Sequence, residues 1–420
     1  MHTETIYIPS LTSVREASKI VREVALRTPF VENARYSRKH KARIFLKRED
    51  LQQVRSYKIR GAYYKMRSLD VEAAKKGIVC ASAGNHAQGV AFACAKLKIH
   101  GRIFMPAPTP KQKIEQVIMF GGAYVETILI GDTFDDAYDA AMLECNRDQK
   151  TFIHPFDDEK IIEGQATVGL EMIEQTEVPL DYVFVPVGGG GLISGLSSVF
   201  SQLSPETKII GVEPAGAPAM KNSLSRGENM ALLEIDKFVD GAAVRQVGRR
   251  NFEICKQLVT EVVTVHEGHV CQTILDLYTK EAIVVEPAGA LTLSALESFS
   301  EEIQGKNIAC IVSGSNNDIT RTAEIKERAL LYHGLKHYFI VRFPQRSGAL
   351  KEFVADVLGP DDDITHFEYT KKTSRENGPA VVGIELKKTT DLEPLVYRMH
   401  QRNFFGDYLN DKPDLFQFLV

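Results

Sequence analysis

Four short segments carry residue types that could do chemistry together. The first runs Asp181-Tyr-Val-Phe-Val-Pro-Val187, then Gly188-Gly-Gly-Gly191, then Leu192-Ile-Ser-Gly-Leu-Ser-Ser198. A strand feeding glycines and then a helix start lets backbone approach a ligand, while the first helical amides offer unpaired donors and a favourable dipole to an anion. A phosphate belongs there. The dinucleotide pattern fails because Ile193 and Ser194 stand where its third glycine must fall. The P-loop fails at Leu196, where lysine is required, and a nucleophile elbow around Ser194 fails at Leu192. What survives is a phosphate cradle without nucleotide machinery, the alternative being a tightly packed glycine turn.

The second segment is Arg55-Ser56-Tyr57-Lys58-Ile-Arg60-Gly61. A lysine that attacks a carbonyl must shed its proton, which a semi-buried place near other cations favours, here Arg55 and Arg60. Taken alone, Lys58 reads far more readily as a solvated surface lysine than as a nucleophile. The third, Ser82-Ala-Gly84-Asn85-His86-Ala-Gln88-Gly89, follows an apolar run and opens a helix. Such a turn can take a carboxylate on its N–H groups while Asn85 bonds a ring oxygen, or it is simply an N-capped turn with a structural His86. The fourth, Ile308–Val312 followed by Ser313-Gly-Ser-Asn316, ends a strand in hydroxyls and amides; Ser313 could bond a ligand nitrogen, or merely close a turn. His266-Glu-Gly-His269 is one residue short of a zinc-binding H-E-x-x-H and reads as loop histidines in solvent.

These segments need a scaffold, and 420 residues with 44% hydrophobic and 25% charged side chains supply one in the ordinary globular range. The balance of 51 basic against 55 acidic residues, without a Lys/Arg block, argues against nucleic acid as a partner. No apolar run approaches the ~18 residues of a membrane span. The opening residues show neither the basic nor the apolar region of a signal peptide. The six scattered cysteines read as buried, reduced thiols. A cytoplasmic location is expected.

Over the first ~320 residues β-branched runs alternate with helical periodicity. Strands are predicted at 43–47, 77–81, 102–105, 123–129, 182–187, 208–213 and 308–313, with helices at 61–76, 111–120, 133–145, 161–174 and 287–299. Alternation of this kind implies α/β architecture, with parallel sheets covered by helices and ligands at the carboxyl ends of strands. A polar helix is expected at 320–332. From His337 the order becomes strand (338–343), helix (to about 358), turn (361–363), strands at 365–370 and 380–386 around a polar loop ending in Gly378-Pro379, and helix (391–402), with or without a short final strand. That is an α+β ferredoxin-like unit of about 85 residues. With no catalytic cluster in it, a regulatory or assembly role is expected.

Taken in order, Ser56-Tyr-Lys58-Ile-Arg-Gly-Ala, Ser82–Gly89, Val187–Gly191 and Ser313–Asn316 resemble the fold-type II pyridoxal-phosphate enzymes, the tryptophan synthase β-like group. Within that group the chain is most similar to the threonine dehydratase family. Phe343-Pro-Gln-Arg-Ser-Gly-Ala-Leu350 is similar to the opening of the ACT-like regulatory domain of its biosynthetic members, here in one copy, as in the short forms. The resemblance implies a two-subdomain catalytic domain over 1–320, its smaller subdomain inserted at about 55–150. A linker helix at 321–336 and an ACT-like domain at 337–420 would follow.

The resemblance also implies pyridoxal 5′-phosphate bound as an imine to Lys58, beside Tyr57, where phenylalanine is more usual. Gly188, Gly189, Gly190, Gly191 and Leu192 would hold the phosphate. Asn85 would meet the ring 3′-oxygen and Ser313 the pyridine nitrogen, while Ser82, Asn85 and His86 would receive the substrate carboxylate. A neutral hydroxyl at Ser313 leaves the ring a weaker electron sink than an aspartate would, favouring loss of a β-leaving group over transamination. The implied reaction is β-elimination of L-threonine to 2-oxobutanoate and ammonia, and of L-serine to pyruvate, with Lys58 removing the Cα proton. It would be the first step of isoleucine biosynthesis, under feedback by isoleucine or valine in a homotetramer. Glu213 matches a cation ligand of related racemases, but Ala219 replaces its acidic companion, so no metal is expected. A catabolic serine/threonine dehydratase or a serine racemase is the alternative, disfavoured by the C-terminal unit.

Overall fold

A computed structural model of the chain describes residues 6–369, 377–412 and 415–416. It forms two units, Met1–Thr320 and Arg321–Val420. The first holds two sheets. The larger has six strands in the order Phe30–Glu32, Arg43–Arg48, Asn307–Val312, Tyr182–Pro186, Lys208–Pro214 and Glu261–Val265. All are parallel except the first, which runs antiparallel to its neighbour. Its central strands are buried along almost their whole length, which is why Ile308–Val312 and Tyr182–Pro186 read as unbroken apolar runs rather than alternating ones. The smaller sheet is parallel, in the order Val125–Leu129, Gly101–Met105, Ile78–Ala81 and Thr151–Phe152.

Several boundaries differ from those the sequence predicts. The single helix expected at 61–76 is two, Lys58–Arg67 and Val71–Lys76. Asp70 breaks it: its carboxylate accepts the Ala73 N–H at 2.7 Å, a stronger local bond than helix continuation offers. The helix also starts three residues early, so Lys58 is its first residue rather than a loop residue before it. The strand expected from 123 begins at Val125, after a short 3-10 turn at Gly122–Tyr124. The two histidines expected in a solvated loop are not in one. His266 caps the helix Glu267–Glu281, its Nδ1 accepting the Gly268 N–H, and His269 lies within that helix. All six cysteines are buried.

The second unit carries a four-stranded antiparallel sheet in the order Asp363–Tyr369, Asn377–Glu385, Lys336–Pro344 and Phe405–Tyr408, with helices Ala349–Glu352 and Leu392–Gln401. This is the ferredoxin-like order, built on a core of Phe339, Phe343, Phe353, Val382, Leu395 and Phe404. Gly378-Pro379, expected to end a loop, lies inside the second strand, with Pro379 opposite Arg342 near its start, a position where a strand tolerates the missing N–H. Thr370, expected at a strand end, falls outside the described residues. Among the described residues no helix is long and apolar enough to cross a membrane.

A buried ion network locks the start of the Lys58 helix to its neighbours. Arg60 is 0% exposed and binds Glu49 and Glu171, both through paired N–H···O contacts of 2.8–2.9 Å. Lys47, also fully buried, completes the network through Glu171 at 2.7 Å. Two cations face two carboxylates, so the cluster is neutral overall and joins the strand Arg43–Arg48, the helix Lys58–Arg67 and the helix Glu159–Gln175.

Candidate active site

Each of the four segments sits just beyond the carboxyl end of a parallel strand, where such folds bind ligands. Arg43–Arg48 leads toward Lys58, Ile78–Ala81 to Ser82, Tyr182–Pro186 to the glycines and Asn307–Val312 to Ser313. Backbone contacts then draw them together. The Tyr57 N–H donates to the Ser313 carbonyl at 3.3 Å, Ser56 bridges Gly314, and the Ser315 N–H donates to the Arg55 carbonyl at 2.9 Å. Helix Asn85–Leu97 crosses so close that a Cβ on Gly89 would sit 3.1 Å from the Lys58 carbonyl. The Lys58 Nζ donates to the Pro155 carbonyl at 2.8 Å, and the next residue, Phe156, packs on Gly189 and Gly191. The amine and the glycine bend are therefore one residue apart through space.

The bend is shaped by its walls. Gly190 has φ +93°, a conformation side chains with a Cβ resist, and it opens helix Gly191–Leu203. A Cβ on Gly189 would come within 2.2 Å of the Phe156 ring. The first intrahelical bond is Ser194 N–H to Gly190 carbonyl, so the amides of Gly191, Leu192 and Ile193 lack an intrahelical acceptor. Leu192 turns its side chain into the core, so only its backbone can serve a ligand.

Lys58 is not a solvated lysine. Burial pulls its amine down to about 8, with the Glu286 carboxylate pulling the other way. The cations invoked from sequence play no part: Arg60 is spent in the ion network, and Arg55 is exposed. About a tenth of such amines are neutral at pH 7, against a few in ten thousand for an ordinary lysine. Uptake of pyridoxal phosphate by the cofactor-free protein is expected to accelerate nearly tenfold per pH unit from pH 6 and to level off above pH 8. Stopped-flow absorbance would read it. A rise continuing to pH 10 would contradict this assignment of the amine.

On the opposite wall the Ser82 hydroxyl accepts the Gly84 N–H at 3.2 Å. Asn85 opens its helix, leaving its own N–H and that of His86 without intrahelical acceptors. The His86 ring, by contrast, is committed: Nε2 donates to the Ile153 carbonyl at 2.8 Å, and burial drives the imidazole down to about 3. What His86 offers a substrate is its amide, not its ring. Asn85 Nδ2 donates to Glu286 Oε1 at 2.6 Å, while its Oδ1 is buried without a partner, as is Ser56 Oγ. Ser313 is 2% exposed beside them. Glu213 accepts the Met220 and Lys221 N–H groups at 2.7 and 2.9 Å and so caps the helix Ala219–Arg226.

Sequence reasoning missed three residues here. Asn251 Nδ2 bonds the carbonyls of Gly189 and Phe156, at 2.8 and 3.1 Å, and fixes the bend from behind. His154 Nδ1 accepts the N–H groups of Phe156 and Asp157, shaping the turn that faces Lys58. Glu286 lies against Asn85. Only Glu286 left a signal, an acid directly before Pro287 at a helix start.

A desolvated amine, a glycine bend with unpaired helix amides, orphaned polar atoms and a hydroxyl at a strand end together fit an aldehyde bearing a phosphate and a polar aromatic ring. Residues 21–314 match the family described as pyridoxal-phosphate dependent enzyme, and the chain belongs to that family. Residues 327–419 match the C-terminal regulatory domain of threonine dehydratase. The chain is 52% identical to "L-threonine dehydratase biosynthetic IlvA" of Halalkalibacterium halodurans over 404 residues, covering 96% of this chain and 97% of that one. Among solved structures it is similar to the processed form of threonine deaminase isoform 2 from Solanum lycopersicum. That likeness has 37% identity and TM-score 0.73, and covers 78% of this chain and 91% of the other. It is also similar to serine racemase from Dictyostelium discoideum, with 31% identity and TM-score 0.68 over 74% of this chain and 99% of that one.

Proposed function

We propose that the protein is a biosynthetic L-threonine dehydratase that uses pyridoxal phosphate to convert L-threonine to 2-oxobutanoate and ammonia, at the first step of isoleucine biosynthesis. The observation that carries this reading is the full-length likeness to such dehydratases, regulatory segment included, around a desolvated lysine beside a glycine bend. The catalytic unit alone resembles a racemase as well; the C-terminal match favours the dehydratase.

Bound cofactor supplies the electron sink that makes a Cα proton removable. Gly188–Gly191 and the Leu192 amide hold its phosphate on the helix dipole. Asn85 meets the ring oxygen, and Ser313 offers the ring nitrogen a neutral hydroxyl. The Ser82 hydroxyl and the amides of Asn85 and His86 take the substrate carboxylate. Lys58, once free, accepts the Cα proton at Nζ, and the Pro155 carbonyl aims that nitrogen and stabilises the ammonium formed. Tyr57 flanks the amine, its ring centroid 5.5 Å from Nζ.

The unit from Arg321 binds isoleucine or valine and transmits inhibition within a homotetramer, in the cytoplasm. Coupling requires the effector to prefer one of two states. The test follows oxoacid release from threonine while isoleucine is titrated. Expected are 2-oxobutanoate from threonine, pyruvate from serine, no D-serine, and slower 2-oxobutanoate release as isoleucine is added. D-serine as main product would overturn the reading, and indifference to isoleucine and valine would remove feedback control.

A further inference from the structure

Glu286 lies outside the segments that carry the family resemblance, yet it is among the most enclosed groups of the site. It occupies the cap position of helix Pro287–Ala295, where an acid ordinarily accepts the helix's own first amides, but makes no such bond. Its carboxylate turns instead to Asn85 Nδ2 at 2.6 Å, tying the loop after strand Ile78–Ala81 to the helix-to-helix connection that holds Glu286, whose own N–H donates to the Gly314 carbonyl at 3.2 Å. It is 4% exposed, and glycines flank it: a Cβ on Gly314 would stand 2.5 Å from Oε1, and one on Gly241 3.3 Å. Burying a carboxylate against amides rather than a guanidinium costs stability, so the arrangement calls for a use.

We propose that Glu286 is a positioning residue that decides which way round the Asn85 amide faces the cofactor. An ionised Glu286 accepts from Nδ2, which has a second N–H left to donate to the ring oxygen anion. A protonated Glu286 donates to Oδ1 instead, and the amide turns over. This rests on the cofactor site proposed above. The charges around Glu286 place the switch in the working range. Burial, then Asp240, push its carboxyl up to about 7, while Asn85, Lys113 and the Asn316 amide oppose them. Lys58 and Tyr57 also feel its charge.

The test uses the cofactor-loaded protein with Glu286→Gln, Asn85→Ala and the double variant. It reads the pyridoxal phosphate dissociation constant at pH 8 and the visible spectrum from pH 6 to 9. Expected is a spectral change with a midpoint near pH 7 in the parent, absent from both single variants. Glu286→Gln weakens cofactor binding about tenfold in the parent, but less than twofold once Asn85 is alanine. Equal weakening in both backgrounds, or a midpoint that survives in Glu286→Gln, overturns the proposal. If Glu286→Gln does not fold by circular dichroism, Asn85→Ala decides alone: persistence of the midpoint overturns the proposal and its loss supports it. A parent that binds no pyridoxal phosphate, or a Lys58→Ala variant that keeps the visible band, would instead overturn the proposed function.

Discussion

Lys58→Ala is expected to lower threonine turnover at least about 10⁴-fold, the upper end of what a positioned proton-transfer group contributes, and to erase the visible band of the lysine-bound cofactor. Compared as cofactor-free proteins, the parent and this variant should melt at the same temperature, or the variant higher. Burial disfavours the charged amine, and its one hydrogen bond is to a carbonyl, so alanine removes a desolvated group rather than a keystone. Loss of function without loss of stability is what separates a reactive lysine from a structural one. Lys58→Arg should be as inactive, because a guanidinium keeps its proton and forms no imine. Turnover and absorbance surviving in either variant would refute the assignment.

The opposite signature is expected two residues away. Arg60→Met leaves Glu49 and Glu171 facing only Lys47, one uncompensated negative charge in a region sealed from water. Breaking a buried pair from one side costs about 3–5 kcal/mol, which for a unit of this size corresponds to a fall of about 4–7 °C in melting temperature. Cofactor retention should weaken with it, since the network anchors the first turn of the helix that Lys58 opens. Restoring charge balance with Arg60→Met/Glu171→Met should recover part of the loss, because Lys47 and Glu49 then remain as a pair. Calorimetry of the three proteins decides the matter: a single variant melting within a degree of the parent would sink the argument.

The expected α/β class is the class observed, with pyridoxal-phosphate enzyme as the family and a ferredoxin-like unit at the carboxyl end. These were legible because each rests on a local pattern. Unbroken apolar runs mark strands buried on both faces, and a strand meeting glycines before a helix marks an anion site. What was misread locally had local competitors, such as Asp70 capping a second helix where periodicity predicted one. The environment of Lys58 was misjudged for a different reason. Arg60 is adjacent in sequence, but its side chain leaves on another face to meet Glu49 and Glu171, residues 11 and 111 positions away.

The order of Ser56–Lys58, Ser82–Gly89, Val187–Gly191 and Ser313–Asn316 was enough to carry the resemblance to pyridoxal-phosphate enzymes, because those motifs are written into short stretches of chain. Tertiary structure alone decided the pairings across distance: Lys58 with Pro155, Asn251 with Gly189, and Asn85 with Glu286. Such contacts depend on how helices and strand-end loops far apart in sequence pack together, and desolvation, which lowers the Lys58 amine and raises the Glu286 carboxyl, exists only once that enclosure has formed.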